Sequence, residues 1–421
     1  MQEFDPVSYI LGQNSAGPYS QSGIVAYLMG HMQNNVVTRT ASGAVAHITD
    51  AIAAPFKGIT AQITPVQSGS GDPSPDNVRP ISGWTGVNVS RTGVNVWDEE
   101  WENGYYNRST GNKAGASDTT YFRSKNYIPC SPNTQYYFKS PTIHAKNNTY
   151  YAVLFYDFNK QFISAKSNVA TNPVQTTPSD ARYMTFYVQV GTSGSTYQHD
   201  ISINCPSADH DYHAFNGSTV TITFPQDPGT VYGGTLAIAE NGSVTLSVDR
   251  KLITVGNSGW SYYSPYIWKT FSDKATPPER GTAEYPLICS MLPYDGVKYA
   301  SQFSDVCCAQ ATNQNIYIKD TSCTSENEYY AKYSGATVLY YLATPQTYTL
   351  TPITPITALS GENNVWADSG DISVTYLADG RASNQLAVSM LLGRSYQHDP
   401  NDPDDATAAE ALSILTGGDT R

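Results

Sequence analysis

Trp97-Asp98-Glu99-Glu100-Trp101-Glu102 sets two indoles among four carboxylates. That combination suits a sugar platform, because aromatic faces stack on pyranose rings while carboxylates accept their hydroxyls. The same residues also suit the entry strand of a β-domain with both tryptophans in its core, since large aromatics are held in proteins mainly by burial. Tyr105, Tyr106, Tyr121 and Phe122 carry the same two readings. Hydrolysis of a glycoside takes two carboxyl groups roughly 5 to 9.5 Å apart across a cleft. Glu99 and Glu102 lie three apart, so in a strand they face opposite sides. The expectation is binding without catalysis.

Asp209-His210-Asp211-Tyr212-His213 is the one dense run of potential metal ligands. It falls where two segments of different texture join, and a solvated junction loop is the expectation, with no metal. No EF-hand-like loop, Gly-x-Ser-x-Gly elbow or His-Glu-x-x-His helix occurs. Cys130, Cys205, Cys289, Cys307, Cys308 and Cys323 show no CxxC spacing, and they are expected as buried thiols. Nothing in the sequence calls for a cofactor.

The elements that would position these residues are strands. Of 421 residues 14 % are charged, below the roughly 25 % of an ordinary domain, and 32 are tyrosine. Tyrosine joins a rigid apolar ring to a polar tip, which favours recognition surfaces. Net charge is −12, and no Lys/Arg stripe is present to track phosphates, so nucleic acid is not an expected partner. No run of about 18 apolar residues is present, so membrane insertion by a helix is not expected. Met1-Gln2-Glu3-Phe4-Asp5 has neither the basic region nor the apolar core of a secretion signal, which leads to the expectation of synthesis in a cytoplasm without secretion.

Five segments follow from the texture. Residues 1–55 mix Gly and Ser with short apolar pieces and are expected to be an anchoring or trimer-forming arm, with Phe4, Val7, Tyr9, Ile10 and Leu11 as contacts. Alternation at Ile59, Ala61 and Ile63, and again at Val220, Ile222 and Phe224, predicts one β-sandwich built from 56–96 and 214–250. Thr85-Gly86-Val87-Asn88-Val89 recurs as Thr92-Gly93-Val94-Asn95-Val96, each copy placing two valines on one face. Asn241-Gly242 predicts a hairpin, both residues tolerating positive φ. Residues 97–213 are dense in aromatics, with strands at short intervals, and predict an inserted jelly roll. Residues 251–380 predict a tyrosine-rich β-domain. Ala382–Leu392, closed by Gly393, and Ala406–Leu415, preceded by Asp404 and Asp405 and closed by Gly417-Gly418, predict short helices in a 381–421 tail. The fold class is therefore all-β and multidomain.

Several stretches resemble tail and fibre proteins of bacteriophages that infect Gram-positive gut bacteria. Phe4-Asp5-Pro6-Val7-Ser8-Tyr9-Ile10-Leu11-Gly12 is similar to their N-terminus, and residues 69–81, Gly-Ser-Gly-Asp-Pro-Ser-Pro-Asp-Asn-Val-Arg-Pro-Ile, are the most specific match. Tyr232-Gly233-Gly234-Thr235-Leu236 and Asn363-Asn364-Val365-Trp366-Ala367-Asp368-Ser369-Gly370 resemble later blocks. The insert resembles a carbohydrate-binding-module-like jelly roll through residues 123–129, 132–137 and 155–163. The resemblance implies a virion structural protein, often trimeric, that joins other virion proteins and adheres to a host surface glycan. Trp97, Trp101, Tyr105, Tyr106 and Tyr121 are then the expected glycan contacts. A head fibre, decoration or baseplate adaptor is the alternative, and a polysaccharide depolymerase a second.

Overall fold

A computed structural model describes residues 36–53, 58–65, 67, 72–140, 151–167, 169–189 and 197–379. The expected contacts Phe4, Val7, Tyr9, Ile10 and Leu11 and both predicted C-terminal helices lie outside the described residues. The chain divides into two compact units. In the smaller, the described residues are 36–39, 50–52 and 377–379, where Arg39 pairs with Asp50 at 3.1 Å and Ala51 lies opposite Ala378. The larger unit is Thr40–Thr49 with Ala53–Tyr376.

The protein is all-β, and its largest sheet runs in the order Gly217–Thr223, Gly86–Thr92, Gly361–Ala367, Val45–Ala51, Gly370–Asp379, Thr60–Pro65, Thr235–Ile238, Val244–Thr254, Thr337–Leu350, Ile288–Cys289. Period-two alternation builds it. Ala61 and Ile63, Val87 and Val89, Leu236 and Ile238, and Val244 and Leu246 are buried, while their neighbours face out. Two boundaries differ from the expectation. Strands begin at Val36, where an arm to residue 55 was expected, and Val45, Ala46 and Ile48 belong to the core. Residues 361–379, expected in the tyrosine-rich domain, pair instead with Gly86–Thr92 and Thr60–Pro65. Pairing over nearly 300 positions leaves no local mark in the sequence.

The chain leaves this sheet at Thr92 and re-enters at Gly217 directly opposite, the two strands being paired from Gly86–Thr223 to Thr92–Gly217. Only the first copy of the Thr-Gly-Val-Asn-Val repeat is a strand of the sheet. The second steps off it: Val96 donates its N–H to Ile203 O and enters the core of the inserted module. At the predicted hairpin only Gly242 takes positive φ (83°), with Ala239 and Ser243 closing the turn, so a single left-handed position suffices.

The inserted jelly roll packs a three-stranded sheet (Val174–Thr176, Gln135–Phe138, Ile203–Asn204) against a larger one (Phe162–Lys166, Tyr151–Tyr156, Tyr183–Gln189, Tyr121–Ser124, Trp101–Asn103). Tyr151–Tyr156 is buried along its whole length. Tyr151, Val153 and Phe155 face the inter-sheet core with Trp97, Tyr136 and Phe186. Ala152, Leu154 and Tyr156 face the other way, under Tyr105, Tyr106, Tyr121, Phe162 and Tyr183.

The third region, between Val244–Thr254 and Thr337–Leu350, is a five-stranded sheet in the order Ser261–Tyr263, Tyr266–Thr270, Asn315–Asp320, Val306–Gln310, Tyr294–Val297. One helix, Glu326–Tyr333, buries Tyr329 and Tyr333 beside it. The Asp320 side chain, fully buried, accepts from Lys332 (2.6 Å), Tyr333 (2.7 Å) and Ser322 (2.7 Å) and locks helix to sheet. Burial alone would raise its carboxyl, but these donors outweigh that and hold it well below the usual carboxylate range.

Candidate functional site

The five expected glycan contacts do not form one surface. Trp97 has no exposure and stands edge-on to Phe186, 4.7 Å between centroids, so it offers no ring face to a ligand. Trp101 lies half-buried at the same core, edge-on to Phe122 and Tyr197. Tyr105, Tyr106 and Tyr121 sit on the opposite face of the sheet. Tyr106 is buried and donates to Ser124 O at 2.8 Å. Tyr105 and Tyr121 are half-buried and pack on one another and on Tyr187 at 5.2 to 6.1 Å. Both readings of the aromatic block were thus open on sequence, and packing takes Trp97 and Tyr106 out of the binding set.

The carboxylates of that block are also engaged. Glu99 accepts from Tyr212 (3.3 Å) and from the Phe215 N–H (3.1 Å). Glu102 bridges Lys113 (2.6 Å) and Arg123 (2.9 Å). Burial would raise Glu102, and those two cations overcome it and bring its carboxyl down. In the acid–histidine run, His213 bonds Asp209 at 2.9 Å and His210 stacks on Tyr137 at 4.3 Å. No group of three His, Cys, Asp or Glu side chains among the described residues is arranged to hold a metal. All six cysteines are buried and unbridged, and burial pushes the Cys205 and Cys307 thiols up to about 12.

A cleft of about 350 Å³ opens where the jelly roll meets the large sheet. That volume lies at the small end of ligand pockets. The jelly roll contributes Lys125, Asn126, Tyr127, Phe158, Lys160, Arg182 and Tyr183, and the sheet contributes Ala44, Trp366 and Asp368. Local chemistry places each of them. Asp157 accepts the N–H of Gln161 at 2.7 Å, closing a turn that holds Lys160 at φ 60°. The Lys160 ammonium thereby hangs over the rings of Tyr127 (5.2 Å) and Tyr183 (5.5 Å). Tyr127 is fixed edge-on against Tyr156 at 4.9 Å. Trp366 lies beside Ser90 in the sheet register.

Most charges in the cleft are already matched. Arg182 pairs with Asp371 (2.5 Å), Lys125 with Glu100 (3.1 Å), and Asp368 accepts twice from Asn88 (3.0 and 2.7 Å). Lys160 makes no ion pair among the described residues. Burial raises the Tyr127 and Tyr183 phenols, so near neutral pH both remain O–H groups able to donate and accept. Half-buried rings, neutral hydroxyls, an amide and one free ammonium can stack on and hydrogen-bond a polyhydroxylated ring.

Sequence reasoning singled out none of these lining residues as contacts. Lys125 and Tyr127, Phe158 and Lys160, and Trp366 all lie in the segments that carried the resemblance, but their meeting depends on how the two sheets join. No protein-family model matches the chain, and no curated protein matches it either.

Proposed function

We propose that this chain is a bacteriophage virion protein of the fibre or receptor-binding type, and that it adheres to a host surface polysaccharide without catalysis. The observation that carries the saccharide part is the junction cleft, with Tyr127, Tyr183 and Trp366 around Lys160, which makes no ion pair among the described residues. Support for binding over hydrolysis comes from its acids: among the described residues Asp368 is the only carboxylate in the lining, and its oxygens are taken by Asn88. The sequence resemblance supplies the virion setting. An all-β body with one module spliced between paired strands suits a protein that presents surfaces. Weak sites on three chains of a trimer would combine through raised effective concentration. Screening the full chain on an array of bacterial surface glycans tests the adhesive role, with particle imaging by an antibody to locate it. Retention of a glycan set supports it. An array with no glycan retained would favour a head fibre, decoration or adaptor, and release of reducing sugar would favour a depolymerase.

A further inference from the structure

Beside the main cleft lies a second hollow of about 200 Å³, and Tyr127, Pro129 and Trp366 line both. Strand register decides which side chains of the large sheet can face it. Trp366 lies opposite Ser90, and Ser90 opposite Thr219. Residues directly opposite share a face, so these three side chains project together. The hydrogen bond between Ser90 Oγ and Thr219 Oγ1, at 2.8 Å, agrees with that placement. All three line the second hollow, which puts Trp366 at the boundary of the two.

Phe215 lines the second hollow and not the first, and it is 36 % exposed. Two local features hold it there. Its N–H donates to Glu99 at 3.1 Å. A Cβ at position 217 would collide with its ring, so Gly217 lets that ring lie against the backbone of the edge strand. Asp98, also in the second lining, accepts from the Glu100 N–H at 3.1 Å and from Asn126 at 2.7 Å. Asn126 belongs to the main cleft, so this bond crosses from one hollow to the other. A carboxylate has about four lone-pair sites, and the two bonds Asp98 accepts among the described residues leave room for sugar hydroxyls.

We infer that the two hollows are adjacent subsites of one groove, which takes two or more linked rings of a polysaccharide. Phe215 and Thr219 belong to the second subsite, where a ring stacks on the phenyl face and its hydroxyls donate to Asp98. Trp366, common to both subsites, meets the rings on either side of one glycosidic linkage. The inference rests on the saccharide reading above and extends it from a single ring to a run of the chain.

Calorimetric titration of the full chain with fragments of Gram-positive gut-bacterial wall polysaccharide tests it, using partial acid hydrolysis and size fractionation to give one to four rings. Wild-type affinity should rise tenfold or more from single sugars to fragments of two or three rings. Phe215→Ala should remove most of that rise. Thr219→Gln, at an exposed position of the edge strand, puts a longer side chain on the same face and should also remove it by filling part of the second hollow. Melting profiles establish that both variants fold. Fragments of every length binding alike in wild type, or a length dependence unchanged in both folded variants, overturns the inference while the saccharide reading stands. Binding of neither the fragments nor the intact polysaccharide overturns that reading as well, so the two failures are distinguishable.

Discussion

Replacing Lys274 by methionine should flatten the alkaline rise of this protein's stability. Lys274 is 1 % exposed, and among the described residues its ammonium donates only to backbone oxygens, Ala275 O at 2.9 Å and Asn313 O at 3.4 Å. Burial without an acid partner brings it from the ordinary 10.5 down to about 8. The unfolded chain keeps this proton until about pH 10.5, whereas the folded chain releases it near 8. Between those values the unfolded state binds more protons, so stability climbs with pH. The full gap corresponds to about 3 kcal/mol, and roughly 2 kcal/mol of it falls between pH 7 and 9.5. Above about pH 10 the unfolded tyrosines ionise and work in the opposite direction, so the range ends there. Lys274→Met removes the titrating group but leaves two carbonyls without this donor, a cost of about 1 kcal/mol each that does not depend on pH. Urea unfolding of both proteins across pH 7 to 9.5 isolates the difference in slope, since every other group is common to both. Parallel stability profiles would refute the reasoning.

Other outcomes follow from the same packing. Trp97→Ala should cost about 3–5 kcal/mol by emptying the jelly-roll core, read as a lowered unfolding midpoint, since Trp97 has no exposure. Asp320→Asn should cost about 2–3 kcal/mol by weakening its bonds to Lys332 and Tyr333, checked by urea unfolding. In wild type the Asp320 contribution is complete above the unfolded carboxyl value near 4. It fades as pH falls below that value, so unfolding at pH 3 should show less difference between the two proteins than at pH 7. Arg79 holds the 72–81 loop to the end of the strand Ile288–Cys289 through Ser290 O (2.7 Å, from its own N–H) and Cys289 O (2.8 Å, from its guanidinium). Arg79→Ala should speed proteolytic nicking in that loop while costing about 1 kcal/mol overall.

Alternating valines and isoleucines made the strands legible, because burial of every second residue writes itself into local sequence. The insertion was legible too: the textures of 56–96 and 214–250 match, and the structure pairs Gly86–Thr92 with Gly217–Thr223. Closure of the large sheet by Gly361–Ala367 and Gly370–Asp379 was not, since distant pairing has no local period. Strands at 36–51 were masked by their Gly, Ser and Thr content. The aromatic block drew attention to Trp97 and Tyr106, which packing buries, and not to Tyr127 and Tyr183, which line the cleft. A sequence shows that Trp97 and Tyr127 are aromatic. Which of them faces a core and which a cleft depends on the side each takes in a folded sheet.

The junction cleft is proposed to bind a surface saccharide. Its most direct test is retention of the full chain on immobilised wall polysaccharide from Gram-positive gut bacteria, comparing wild type with Tyr183→Ala and Trp366→Ala. The cleft predicts that wild type is retained and that each variant, still folded by its melting profile, binds about tenfold more weakly, as befits the loss of one aromatic contact worth about 1.4 kcal/mol. Retention at wild-type strength in both folded variants would contradict it.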